Sequence, residues 1–289
     1  MKLRKTCLFD VVSRVLTAAA VVMVFCLGLS AQTPNVSASP APAVTPIPVP
    51  SPTPAAITAE MIASGNLTVE QIAELSIATY GFPNGRATLN QIRKTAVERG
   101  KVTITTPDGR QDSATYQRWF LRPDTGAEKT RLDQQFPNAK YSLVYDGTEI
   151  FGVFNDSSFV PREDASTVFQ NQLFHSIDAF QRYKENGSQF TSGGREKILG
   201  VDYHVLDMTD KQGRKTRYFL SAKSFRVMML EYESGGVTYR RRFYDNRFAQ
   251  GTLVPYRSVL MSGDKVLEEV LVGTITYGQK VDDGLFVKP

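Results

Sequence analysis

Over residues 201–286 the chain alternates apolar and polar residues in one short run after another, separated by small turns. The turns are Lys211-Gln212-Gly213, Ser234-Gly235-Gly236 and Ser262-Gly263-Asp264, flanked by segments rich in Val, Tyr, Phe, Thr and Met. Glycine supplies the backbone freedom a hairpin turn needs, and β-branched and aromatic side chains suit a pleated surface. Hairpins in such a series imply an antiparallel sheet. Over 267–277 both alternating sets contain apolar residues, with Leu267, Leu271 and Ile275 in one and Val266, Val270 and Val272 in the other. That strand is expected to be covered on both faces.

The first half adds extended segments at 101–106, 113–122, 127–136, 140–145 and 148–154, joined by Pro107-Asp108-Gly109, Pro123-Asp124-Thr125-Gly126 and Asp146-Gly147 turns. Another extended segment at 196–208 opens the second half, and the total comes to about eleven strands. Three helices are expected. Thr68 with Gln71 fits a capping box, opening a helix with Ile72, Leu75 and Thr79 on one stripe. A second is expected over 88–99, with Leu89, Ile92, Ala96 and Val97 inward and Gly100 as its stop. The third, over 161–186, starts at Pro161 with Glu163 and Asp164 at the positive end of its dipole. Its stripe is Phe169, Leu173, Ile177 and Phe180, and Gly187 ends it.

The N-terminus reads as a secretion signal. Lys2, Arg4, Lys5 and Arg14 precede the uncharged run 15–31, which ends on the small residues Ser30 and Ala31. Cleavage after Ala31 is expected, with an uncleaved inner-membrane anchor as the alternative. Cys7 and Cys26 are the only cysteines, so the chain beyond the signal has no thiol chemistry or disulfide, which suits a bacterial envelope. Residues 32–56 carry eight prolines among Ala, Ser, Thr and Val, the composition of an extended linker. The globular domain is expected over 57–289. The formal charge of +5 is concentrated at the start. Beyond residue 31 there are 30 basic and 28 acidic residues, which does not point to nucleic acid.

No catalytic constellation emerges. Asp124-Thr125-Gly126 matches an aspartic-protease loop, but that chemistry needs two such aspartates and this chain has one copy after a turn-forming proline. Ser262-Gly263-Asp264-Lys265 matches Ser-x-x-Lys but falls on a hairpin tip. His175 and His204, the only histidines, lie in different elements without a carboxylate cluster, and are expected to be ordinary surface or half-buried side chains. No metal or cofactor is expected. Tyr239-Arg240-Arg241-Arg242-Phe243 puts Arg240 and Arg242 on one face of a strand and Arg241 on the other. Arg240 and Arg242 form a candidate basic patch for lipid phosphate or an acidic partner, or a charged convex face that keeps the sheet soluble.

The layout resembles the outer-membrane lipoprotein-sorting (LolA/LolB-like) family: helices first, a many-stranded sheet, a helical insertion midway. The likeness is clearest in Tyr203-His204-Val205-Leu206, the hairpin at Ser221-Ala222-Lys223-Ser224-Phe225-Arg226-Val227, Leu253-Val254-Pro255 and the closing Val281-Asp282-Asp283-Gly284-Leu285-Phe286. Asp146-Gly147 after Tyr145 is similar to the family's mid-domain turn. The resemblance implies an α+β fold, an unclosed antiparallel half-barrel whose helix-covered concave face shelters acyl chains. It also implies periplasmic, non-catalytic binding or transfer of a lipid or lipoprotein. The proline-rich linker and the arginine strand depart from a simple shuttle. Candidate cavity walls are Trp119, Leu121, Phe151, Met228 and Leu230 on strands and Phe169, Leu173, Ile177 and Phe180 on the third helix. The same residue types would also make a packed core. The alternative function is a membrane-tethered module that meets an inner- or outer-membrane protein through its convex basic face.

Overall fold

The computed structural model describes residues 66–106, 108–123 and 127–289. The signal, the proline-rich linker and Asp124-Thr125-Gly126 lie outside the described residues. Two helices come first, α1 (Val69–Tyr80) and α2 (Arg86–Ile92). The first meander follows: β1 (Thr95–Thr105), β2 (Gln111–Leu121), β3 (Lys129–Phe136), β4 (Ala139–Tyr145), β5 (Ile150–Phe154) and β6 (Ser157–Phe159). Helices α3 (Glu163–Phe174) and α4 (Ile177–Gln181) interrupt the sheet. The second meander is β7 (Gln189–Ile198), β8 (Val201–Thr209), β9 (Lys215–Ser221), β10 (Val227–Ser234), β11 (Val237–Ala249), β12 (Thr252–Ser262) and β13 (Lys265–Tyr277). A 3-10 turn, Asp283–Phe286, closes the chain.

All thirteen strands form one antiparallel sheet in the order β6-β5-β4-β3-β2-β1-β13-β12-β11-β10-β9-β8-β7. The fold is an α+β unclosed half-barrel, as expected. The two meanders are joined where β1 pairs with β13, leaving β6 and β7 as the edges. Since α3 and α4 connect β6 to β7, the chain must travel from one edge to the other, and it does so across the concave face. Topology alone therefore places a roof over the sheet.

Several local expectations are corrected. The strand count rises from about eleven to thirteen because β6 has three exposed residues, and β7 is a polar edge strand with Ser192-Gly193-Gly194 inside it. The segment 196–208 is not one strand: it turns at Leu199-Gly200, between β7 and β8. The second helix ends at Ile92, and residues 95–99 already belong to β1. Pairing with both β2 and β13 overrides the local helical spacing there. Gly100 is no helix stop. A β-carbon at that position would run into Leu271 O and the Tyr116 ring, so only glycine lets β1 and β13 approach.

The capping box forms as expected: Thr68 Oγ1 accepts from Gln71 N at 3.2 Å, and Gln71 Oε1 accepts from Thr68 N at 2.9 Å. The buried stripe of α1, however, is Ile72, Ala73, Ser76, Ile77 and Tyr80, with Leu75 and Thr79 only half-buried. The single helix expected over 161–186 is broken at His175-Ser176, because Ser176 caps a new helix by accepting from Ala179 N at 3.0 Å.

Strand β13 is not covered on both faces, since Leu271 is 46% exposed. Its register skips Gly273, pairing Arg99 with Thr274 and Gly100 with Val272. This bulge switches the concave-facing set from Glu268, Val270 and Val272 to Ile275 and Tyr277. Two consecutive phases on one face look, in sequence, like two apolar faces.

Candidate functional site

At the centre of the concave face lies a cavity of about 150 Å³. Alternation along the strands aims its walls inward: Ala96 and Val102 from β1, Phe120 from β2, Leu132 from β3, Phe243 from β11, Val270 and Val272 from β13. Gln172 of α3 and Ile177 and Asp178 of α4 form the roof.

Charged groups also stand in this apolar wall. Glu98 Oε1 accepts from Tyr116 Oη and Arg118 Nη2, each at 2.7 Å. Arg241 Nη1 donates to Glu268 Oε1 at 2.8 Å and to Ser258 Oγ at 3.2 Å, and Gln172 Nε2 donates to Glu268 Oε2 at 2.9 Å. Asp178 pairs with Arg122 at 2.8 Å and with Arg93 at 3.6 Å. Burial raises the Asp178 carboxyl, but Arg122 and Arg93 outweigh it and hold the group well below the usual carboxylate range. Burial, reinforced by Glu98, pushes the Tyr116 hydroxyl up, so it remains a proton donor to that carboxylate. Each of these carboxylates is paired with a cation. Among the described residues no group of three or more His, Cys, Asp or Glu side chains could hold a metal ion.

The expected cavity residues scatter over several places. Ile177 lines the cavity. Phe169 and Leu173 pack on the same face against Val102, Ala114, Tyr116, Leu132 and Leu143, and Leu173 also borders a larger polar cleft of about 690 Å³. Phe180 and Leu230 are fully buried in the core beneath α1 and α4. Trp119, Leu121 and Phe151 pack with Val144 and Phe286 on the opposite face, under the C-terminal 3-10 turn. Met228 is half-buried, beside a register shift between Val227 and Met229.

In the basic patch, Arg240 pairs with Glu231 at 2.5 Å, and the inward-facing Arg241 is the arginine that reaches the cavity. Glu98, Arg118 and Glu268 were missed in the sequence. Their signal was a charge at the inward phase of a strand, legible only once register is known. Both histidines are buried, correcting the expectation of surface or half-buried positions. His175 lies 2.7 Å from Thr216 Oγ1 and stacks on Tyr232, while His204 stacks on Phe225. Burial, assisted by the Arg214 charge, brings the His175 imidazole down to about 4.

No family model matches this sequence. No curated protein matches it either. In three dimensions it is similar to a LolA superfamily protein from Nitrosomonas europaea, with TM-score 0.55 and 16% identity over 77% of this chain and 98% of that one. The fold is LolA-like. A domain assigned to outer-membrane lipoprotein sorting in Vibrio parahaemolyticus is also similar, with TM-score 0.48 and 11% identity over 74% of this chain and 97% of that one. The expected resemblance thus holds at the level of the fold. No helix among the described residues is long and apolar enough to cross a membrane.

Proposed function

We propose that this LolA-like protein binds a lipid or lipidated protein without chemistry, laying an acyl chain on the concave face of its half-barrel in the bacterial periplasm. The observation that carries the reading is the cavity. Interiors are normally close-packed, yet about 150 Å³ is left open beneath the roof. A void of that size admits a group no larger than benzene. A full chain therefore enters only when the roof moves.

On this reading helix α3 is the part that moves. It holds the sheet through the Gln172–Glu268 hydrogen bond and the packing of Phe169 and Leu173. Helix α4 is anchored by Asp178, by Gln181 and by the fully buried Phe180. The break at His175-Ser176 lets the first swing while the second stays. Each buried methylene of an incoming chain contributes about 0.8 kcal/mol, so a chain that takes the place of Phe169 and Leu173 offsets their exposure. Export to the periplasm rests on the basic start and uncharged run of the N-terminus.

Titration of a fluorescent acyl probe tests this, with folding followed by circular dichroism. Saturable binding by wild type is expected, lost in a folded Leu173→Glu variant because an unpaired carboxylate would sit against the chain. Folded wild type without saturable binding overturns the reading. The membrane-tethered alternative is weakened by the Arg240–Glu231 pair, which neutralises half of the proposed convex patch.

A further inference from the structure

Gln134, on the concave face of β3, lines the cavity and is only 8% exposed. Its amide makes no hydrogen bond to any described residue. Register places it opposite Tyr116, whose hydroxyl is already given to Glu98. Two residues along the same pair of strands, Arg118 faces Leu132 and also lines the cavity. Arg118 Nη2 serves Glu98, but its Nε is buried and has no acceptor. Buried donors nearly always find acceptors. Here two underused ones stand diagonally across β2 and β3, a separation that long side chains bridge.

The chemistry of the wall says what kind of acceptor fits. The lining cations Arg93 and Arg122 lie beside Asp178, Arg118 beside Glu98, and Arg241 beside Glu268. A charged ligand group would lose its hydration and find each of these cations already paired, whereas a neutral carbonyl gives up far less hydration. Position narrows the ligand further. Phe169 and Leu173 cover a strip that contains Tyr116 and Leu132, the register partners of Gln134 and Arg118. An acyl chain that replaces those two side chains lies alongside both donors.

We propose that Gln134 and Arg118 bind the carbonyl oxygen of a neutral acyl ester, so that the cavity selects esters over ethers and hydrocarbons of the same length. The proposal rests on the acyl-binding function above and adds the recognition of the head of the chain. The amide N–H and guanidinium N–H are donors, matched to the carbonyl acceptor that an ester has and an alkyl chain lacks.

The test is calorimetric titration with glyceryl monododecanoate, its ether analogue dodecyl glycerol ether, and sodium dodecanoate, each below its micelle concentration. Wild type, Gln134→Leu and Gln134→Met are compared. The two glycerol lipids share headgroup and chain and differ by the carbonyl. Wild type is expected to bind the ester roughly tenfold tighter than the ether, and tighter than dodecanoate. Each substitution should cut that preference severalfold without lowering the thermal midpoint, because a partnerless buried amide contributes nothing to folding. Ester and ether bound equally by wild type refute the carbonyl site and leave the acyl-binding function standing. A preference unchanged in both folded variants does the same, and a lowered midpoint alongside it makes Gln134 a purely structural residue. Dodecanoate bound tightest assigns the donors to a carboxylate and overturns the neutral ester. No binding of any of the three by folded wild type overturns the ester site and the acyl-binding function together.

Discussion

The Arg241–Glu268 pair offers the sharpest test of the cavity wall. The side chains are 11% and 7% exposed, and their atoms meet at 2.8 Å. Arg241→Met leaves Glu268 with the Gln172 amide alone, while Glu268→Leu leaves Arg241 with the Ser258 hydroxyl. Removing one partner of a buried pair strands a charge and costs about 3–5 kcal/mol. In a domain of this size each kcal/mol moves the midpoint by roughly 2–4 °C, so each single variant should melt roughly 6–20 °C lower. The double variant removes both desolvated charges together. Its stability should lie near wild type, with a coupling of several kcal/mol in the cycle. It also removes two charges from the wall, so an acyl probe should bind it at least as tightly as wild type. Urea melts of the four proteins, read by near-ultraviolet circular dichroism, give the cycle. Single variants costing under about 1 kcal/mol would show that water screens the pair, and the picture of a desolvated wall would fall.

Three further outcomes follow from the same geometry. His175 has a folded pKa of about 4 against an ordinary 6.5, so the unfolded chain binds more protons between those values. Stability should be full above pH 6.5 and fall by roughly 3 kcal/mol as pH drops to 4, a slope that His175→Phe should flatten in parallel denaturation series. Gly100→Ala should cost roughly 1–3 kcal/mol or more, since its methyl meets the Leu271 carbonyl of the neighbouring strand; a neutral melt would refute the close approach. Phe180→Ala should cost about 3–5 kcal/mol by urea melt, because the ring is fully buried against Phe190 and Tyr218, and a much smaller loss would mean that α4 is loosely seated.

Local chemistry was enough to determine much of this protein. The hairpin turns at Gly213, Gly235-Gly236 and Gly263 and the Thr68 capping box are legible because each depends on neighbours a few residues away. A repeated alternating pattern also implies an antiparallel sheet without reference to any partner strand. What the tertiary structure decided is everything that depends on register and on which face a layer covers. Residues 95–99 became strand because β2 and β13 lie on either side, and the Gly273 bulge gathered two apolar phases of β13 onto one face. Trp119 and Phe151 share the composition of a cavity wall yet face away from the roof, a distinction made by one position of phase. The same phase carried Glu98, Arg118, Arg241 and Glu268 inward, where each meets an opposite charge. The cavity draws its residues from β1, β2, β3, β11, β12, β13, α3 and α4. Chain positions that far apart meet only when the sheet curls and α3–α4 cross it, so no spacing along the sequence could have announced them.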